Sequence, residues 1–417
     1  MKIAMISQWY DPEGSSAALP GVISRALCAR GNEVHVVTGY LNYPQGKVFP
    51  GHRMRPYRRE QLRGVTVHRA PLYASHDGRA GRRAATYVSF AAAASVVAVT
   101  RLPQVDAALV HGTPATAALP AMALRAVRRT PFVLHVQDLW PQTVTHSGFL
   151  PDGHSSHVER ALHRYCDSLY RHASLLAVIS PGMAAHIADR GVPDGKIRFV
   201  PNWADEQAFR PCAADPAYAA ALGLRRRFTV MYAGIFGRYQ NLHVLLAAAG
   251  CLRGRTDIGF ALVGGGVEEA SLRDRVEREG LDNVSFIPLQ PFDKMAEVLA
   301  LGDAHLVSLQ DLPLFRSTLP SKLQATMAAA RPVIGALAGD AADVVERSGG
   351  GITVTPGSVE EMTAAIIRLA ETSTSERAAM GARGRDYYQQ HFGQSVASER
   401  LSCLLHEAAQ LQGEPAT

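Results

Sequence analysis

Ser321, Lys322 and Gln324 have the types and spacing that point most directly to chemistry; they lie in the run LPSKLQATMAAARPVIGALAGD, residues 319–340. Ser-x-x-Gln is a capping-box pattern, with Ser321 accepting from the amide three residues on and Gln324 reaching back. Pro320 stands just ahead of the cap, where its missing N–H costs little. Helix formers follow, and after Pro332 the apolar run 333–338 reads as a buried strand. A helix start carries unpaired amides and roughly half a positive charge. Lys322 adds a full charge in that first turn, where it weakens the helix unless an anion compensates. A phosphate or diphosphate meets that need. The plain alternative is a solvated lysine at an ordinary αβ crossover.

Other candidates stand at the ends of apolar runs. Asp138 and Trp140 follow the run 131–136. They are thereby placed at the C-terminal end of a strand, the edge where open α/β sheets hold ligands. Asp138 is a candidate base there, with capping of the next helix as its alternative role. Gly264, Gly265 and Gly266 close the run 258–263, as suits a tight turn or a backbone passing close to a ligand. Gly14 stands alone in the first βα loop. The GxGxxG fingerprint is absent, which argues against a nicotinamide or flavin cofactor.

These residues need two α/β units to position them. Residues 2–7 read as a strand, a helix runs to about Arg30, and 33–38 is a second strand, which makes a βαβ unit with a parallel sheet. Strands at 65–72, 105–111, 131–136, 175–179 and 197–200 extend it. The uncharged segment 84–100, between Arg82-Arg83 and Arg101, is at the short limit for spanning a bilayer. It reads instead as a buried or interface-facing helix. Periodicity is lost over 204–227, which reads as a linker. A second α/β series follows, with strands at 228–232, 258–263, 284–288, 304–309, 333–338 and 351–354. The domains are therefore expected at 1–203 and 204–394, with an amphipathic last helix, 395–412, crossing back onto the first.

The chain has 417 residues, 47% hydrophobic and 19% charged, enough for real cores and too few charges for disorder. The five cysteines are scattered and form no CxxC pair, so neither a disulfide framework nor a zinc site is expected. No secretory signal is visible, which sets a cytoplasmic expectation, with peripheral contact at the inner membrane face. The net charge is +6, yet 52–83 alone holds nine arginines against two acids, a local +7. The basic character is therefore one patch, suited to a membrane surface or an acidic acceptor, or else a solvated face. Nucleic acid is not expected as a partner.

Several stretches converge: SQWYDPEGSSAA, VVTGYLNYPQGKVFPG, HVQDLWPQTVTHSGFL, VPNWAD, YAGIFGRYQNL, VGGG and LPSKLQATMAAARPVIGALAGDAADVV. In this order and spacing they resemble the family 4 retaining glycosyltransferases, and within them the WbuB-like subgroup that builds bacterial surface polysaccharides. The resemblance covers roughly residues 2–395. It implies an α/β GT-B fold, two Rossmann-like domains facing across a cleft, with the nucleotide-sugar donor on the C-terminal domain and the acceptor mainly on the N-terminal one. Lys322 then corresponds to the diphosphate-binding lysine. Gly234, Gly264, Gly265, Gly266 and the turn around Leu289 become nucleotide-binding backbone. Gly14 lies near the donor phosphates, Asp138 at the cleft, and Trp140 and Asn202 on the acceptor and hinge side. The family's E-x7-E pair is missing: its positions hold Ser317 and Ala325, and Gln324 and Asp340 are the nearest polar substitutes. Arg238 stands in for the displaced basic residue of the first C-domain loop. The glycine usual before the Arg-Pro pair is Ala330 here.

The resemblance implies retaining transfer of a hexosyl or N-acetylhexosaminyl group from a nucleotide-diphosphate donor. A UDP-sugar such as UDP-GlcNAc is favoured. The acceptor would be a lipid-linked or small-molecule hydroxyl in polysaccharide, glycolipid or antibiotic biosynthesis. Lys322, Arg238, Arg316 and the Ser321 helix terminus would neutralise the leaving diphosphate. No DxD motif occurs, so no metal and no other cofactor is expected. Asp138 would serve as base if a donor phosphate oxygen does not. A nucleotide-sugar epimerase and a non-catalytic GT-B partner subunit are the alternatives.

Overall fold

A computed structural model describes residues 1–13, 19–43, 45–75, 80–142, 155–224 and 226–411. They form two compact units, Met1–Val200 together with the segment from Ser398 onward, and Pro201–Ala397.

The first unit runs β1 (Lys2–Ile6), α1 (Leu19–Ala29), β2 (Glu33–Gly39), β3 (Arg58–Leu62), β4 (Val65–Ala70), α2 (Ala80–Arg101), β5 (Ala107–His111), α3 (Leu119–Arg128), β6 (Phe132–Val136), α4 (Ser155–His172), β7 (Leu175–Val178), α5 (Pro181–Ala188) and β8 (Ile197–Phe199). The sheet order is β3-β4-β2-β1-β5-β6-β7-β8. Every pairing is parallel except β3 with β4. β5, β6 and β7 are buried at every residue, as strands covered on both faces must be. The chain leaves β1 to one side for β2 and returns for β5 on the other, so the topological switch lies between β1 and β5.

The basic segment is not uniformly at the surface. Residues 58–62 form the edge strand β3, whose burial alternates. Arg69, on the fully buried strand β4, is 1% exposed. Its guanidinium donates to Glu60 Oε1 at 2.6 Å, to the Gly39 carbonyl at 3.0 Å and to the Asp11 carbonyl at 2.9 Å. One of the nine arginines therefore ties the β1 loop to β2 and β3 from inside, because a buried guanidinium needs all its donors met. Arg58 pairs with Glu60 at 3.1 Å. Arg53, Arg55, Arg59 and Arg63 remain exposed.

The second unit runs α6 (Pro216–Ala221), β9 (Phe228–Ile235), α7 (His243–Cys251), β10 (Ile258–Gly265), α8 (Glu269–Glu279), β11 (Val284–Ile287), α9 (Met295–Ala300), β12 (Ala304–Ser308), α10 (Pro313–Arg316), α11 (Ser321–Ala328), β13 (Val333–Ala336), α12 (Asp340–Ser348), β14 (Gly351–Val354), α13 (Val359–Glu371) and α14 (Thr374–His391). Helix α15 (Gln394–Gln410) carries the chain back into the first unit. The sheet is wholly parallel, β11-β10-β9-β12-β13-β14, and its switch lies between β9 and β12. The stretch 204–227 is not a free linker. Phe209, Tyr218, Leu222 and Leu224 pack on the buried residues Met231, Ala261 and Val298, an apolar set too widely spaced to show a period.

Helix α11 departs from the capping-box expectation. Its N-cap is Pro320, which makes no side-chain cap bond, and Ser321 is already the first helical residue. Leu323 N–H bonds the Pro320 carbonyl at 2.9 Å. Gln324 does not reach back: it is 3% exposed, and its amide donates to the Asn202 carbonyl at 2.8 Å. The amides of Ser321 and Lys322 are thus left without a side-chain cap at the helix mouth.

At its other end α11 closes with paired bonds, Arg331 N–H to Thr326 O at 3.1 Å and Ala330 N–H to Met327 O at 2.9 Å. This is a Schellman arrangement, which needs a left-handed residue, and Ala330 has φ 56°. An alanine there bears roughly 1–2 kcal/mol of strain. Glycine would remove the strain and return about 0.4–1 kcal/mol as unfolded-chain entropy. Ala330→Gly is expected to raise the melting temperature by a small, measurable amount in thermal unfolding; a lowered value would contradict the strain.

Candidate functional site

In the second unit the site grows from the switch between β9 and β12. β9 ends at Gly234 and Ile235, β10 at Gly264 and Gly265, and α11 enters after β12. Gly234 has φ 142°, and a Cβ there would overlap Lys322 Cε and approach its Nζ to 2.9 Å. The lysine therefore lies across the bare backbone of Gly234. Its Nζ is 5.3 Å from the centre of the Tyr232 ring, a cation–π contact, while Tyr232 holds itself by donating to the Ile235 carbonyl at 2.7 Å. Among the described residues no carboxylate pairs with Lys322. Burial alone brings its ammonium down to about 8. A desolvated cation with no counter-ion, beside the open amides of a helix terminus, is arranged to receive an anion.

The glycine triplet has a different first task from ligand approach. A Cβ on Gly264 (φ 134°) would overlap the Gly234 carbonyl, and one on Gly266 (φ 156°) would lie 2.5 Å from the Phe236 carbonyl. The ends of β9 and β10 thus pack backbone on backbone, and Phe236 N–H bonds the Gly265 carbonyl at 2.9 Å. This leaves a side-chain-free floor beside Lys322.

The remaining expected residues of this unit are placed as follows. Arg238 is exposed, 3.5 Å from Glu268. Arg316 is exposed and held by Asp311 at 2.7 and 2.8 Å, so its charge is matched at the surface. Asp340 opens α12, where its carboxylate suits the helix dipole. Gly339 before it packs on the Arg316 backbone. Leu289 is 79% exposed after β11, in a turn braced by Gln290 donating to the Pro288 carbonyl at 2.8 Å. Gln324 and Asn202 meet each other, as described. Gly14 lies outside the described residues.

In the first unit Asp138 follows β6. Thr113, following β5, donates its hydroxyl to Asp138 Oδ2 at 2.8 Å. Burial raises the carboxyl above its ordinary value, and the Thr113 bond partly offsets this. Trp140 belongs to a row of half-buried rings: Trp9 lies 5.2 Å from Tyr43 and 6.4 Å from Tyr87, and Tyr87 lies 6.4 Å from Trp140. Gln8, two residues after β1, is fully buried, with neither end of its amide partnered among the described residues. His111, ending β5, and His135, on β6, are held neutral by burial, at about 3 and about 4. Sequence reasoning found Asp138 and Trp140 here and missed Thr113, Gln8, Trp9 and Tyr87. Their signal was position: Gln8 and Trp9 follow β1 as Asp138 and Trp140 follow β6.

Comparison with known proteins gives the following. Residues 21–203 match the family described as "Glycosyl transferase 4-like domain", and residues 227–372 match "Glycosyl transferases group 1". The chain is 30% identical over 328 residues to the putative colanic acid biosynthesis glycosyl transferase WcaI of Escherichia coli K12, covering 78% of this chain and 80% of that protein. Among solved structures, sucrose-phosphate synthase from Thermosynechococcus elongatus superposes with TM-score 0.73 at 19% identity, covering 97% of this chain and 98% of that one. Anabaena HepE in complex with UDP and glucose gives 0.69 at 18% identity, covering 97% and 99%. At these identities the structural likeness establishes the fold, which is GT-B.

Proposed function

Since the chain belongs to the family 4 glycosyltransferases, we propose that it transfers a hexosyl or N-acetylhexosaminyl group from a UDP-sugar, with retention and without a metal. The observation that carries this is Lys322, a half-buried ammonium with no carboxylate partner among the described residues, at a helix mouth on a side-chain-free floor. A departing diphosphate is the anion those groups suit: Lys322 opposes its charge, and the amides of Ser321 and Lys322 take its oxygens as charge develops. The UDP complexes of HepE support a uridine nucleotide. The Glu268-paired Arg238 is a secondary cation.

The first unit is assigned the acceptor. Asp138, with one oxygen fixed by Thr113 and its basicity raised by burial, is suited to take the acceptor proton. The row Trp9, Tyr87 and Trp140 suits the apolar face of a sugar ring or of a lipid-linked acceptor. Likeness to WcaI supports a polysaccharide pathway. The exposed arginines of 52–83 suit contact with anionic lipid. Neither the epimerase nor the non-catalytic reading is favoured by the comparisons.

The test is turnover of radiolabelled UDP-sugars, with and without acceptor, in EDTA. Activity that survives chelation is expected, with the donor's anomeric configuration kept in the product by proton NMR. Activity lost to EDTA and restored by Mg²⁺ or Mn²⁺ overturns the metal-free assignment, and an inverted product overturns retention.

A further inference from the structure

Helix α2 has two unlike faces. Phe90, Ala94, Val97 and Ala98 are 0–4% exposed and tie the helix into the first unit. On the opposite side Ala84, Val88, Ala92 and Val96 recur every four residues and are all exposed, Val88 at 60% and Val96 at 62%. Only a third of the helix's most apolar window is buried, and its mean hydropathy is 1.3. On α3, Val127 is also exposed, at 65%. A groove of about 700 Å³ runs beside it, lined by Val88, Ala92, Leu119, Met122 and Ala123, with Arg125 at the rim.

The charge on the two helices of this face is of one sign. Neither α2 nor α3 contains an acidic residue. Exposed arginines stand at both ends of α2, Arg82 and Arg101, on α3, Arg125, and at its C-cap, Arg129. Arg101 stacks over Tyr57 at 5.3 Å, which joins that end of the helix to the exposed Arg53, Arg55 and Arg59. Tyr73, 48% exposed, is held beside the stripe by its N–H to Ser89 Oγ at 2.9 Å. An apolar stripe bordered by cations and an interfacial tyrosine matches an acyl layer under anionic headgroups. A second protein surface would have to bring a matching ring of acids.

We propose that the exposed face of α2, with the adjoining edge of α3, seats on an anionic lipid surface. The buried face keeps the helix in the unit, so it lies on the bilayer and does not cross it. This goes beyond electrostatic contact through 52–83 and does not depend on the transferase reading. Tyr87 of the same helix belongs to the ring row, so a seated α2 would bring that row to the level where a lipid-carried acceptor emerges.

The test is flotation of the full chain with phosphatidylcholine vesicles, with and without phosphatidylglycerol. Wild type is expected to float with the anionic vesicles alone and to keep part of its binding at high salt, because only the electrostatic share is screened. Val88→Glu with Val96→Glu is expected to weaken binding by about tenfold or more, while Arg59→Glu weakens it less and only at low salt. Ala92→Glu is the substitute if the double variant misfolds, as judged by thermal unfolding and by its melting response to UDP. The proposal is overturned if wild type does not float or if the glutamate variants float like wild type. It is overturned equally if light scattering shows a wild-type dimer that these variants dissolve, since a second copy then covers the face.

Discussion

Lys322→Ala lowers donor turnover by about a hundredfold or more, the loss expected when one preorganised charge leaves the site of developing anion. Lys322→Met does the same to turnover and also raises the melting temperature of the nucleotide-free protein at neutral pH. The opposite signs follow from one fact. Burial takes the ammonium from 10.5 to about 8, which amounts to roughly 3 kcal/mol of unfavourable charging in the empty site. The sign with pH is fixed by linkage. Between about 8 and 10.5 the unfolded chain holds the Lys322 proton and the folded chain does not, so wild-type stability rises with pH across that window. The methionine variant's advantage is therefore full below pH 8 and fades toward pH 10.5. Donor affinity of the wild type falls above pH 8, where the ammonium is lost. Wild-type turnover in either variant, or a methionine variant less stable than wild type at pH 7, would contradict this role. A site that costs stability when empty is what selection for ligand binding leaves behind.

Asp138→Asn lowers kcat by about 10² to 10⁴, the range for a lost general base, with little change in donor KM. The amide keeps an oxygen for the Thr113 hydroxyl, so the loss would be chemical and not structural. Burial raises the Asp138 carboxyl, so wild-type kcat falls as pH drops through that raised value, and the variant lacks this limb. The folded protein holds the Asp138 proton to higher pH than the unfolded chain does, so Asp138 costs stability above its ordinary range, and the asparagine variant is the more stable at neutral pH. Wild-type kcat in the variant would leave the proton to a donor phosphate oxygen.

What could be read from the sequence was what local pattern determines. The strand–helix–strand order of residues 2–38 announced a parallel sheet. The ends of β6 and α11 pointed to Asp138 and Lys322 without any fold in hand. Ala330, where a glycine was expected, carries the left-handed conformation that the helix end requires. What could not be read depends on long-range partners. Ser321 and Gln324 have capping-box spacing, but Gln324 meets a carbonyl 122 positions away in sequence, and Pro320 takes the cap. Arg69 looked like one more surface arginine until acceptors from two strands and the β1 loop closed on it. Arg316 looked like a free cation, yet Asp311 holds it. The ring row joins residues 9, 43, 87 and 140, which no window of sequence brings together.

The central claim is that the mouth of α11, through Lys322, holds the diphosphate of a nucleotide. Calorimetric titration of the wild type and Lys322→Ala with UDP and with uridine tests it most directly. In the wild type UDP should bind far more tightly than uridine. In the variant UDP should lose about ten- to a hundredfold, as for one charged hydrogen bond, while uridine binds as before. Equal UDP affinity in the two proteins would contradict the account, because the diphosphate would then lie elsewhere.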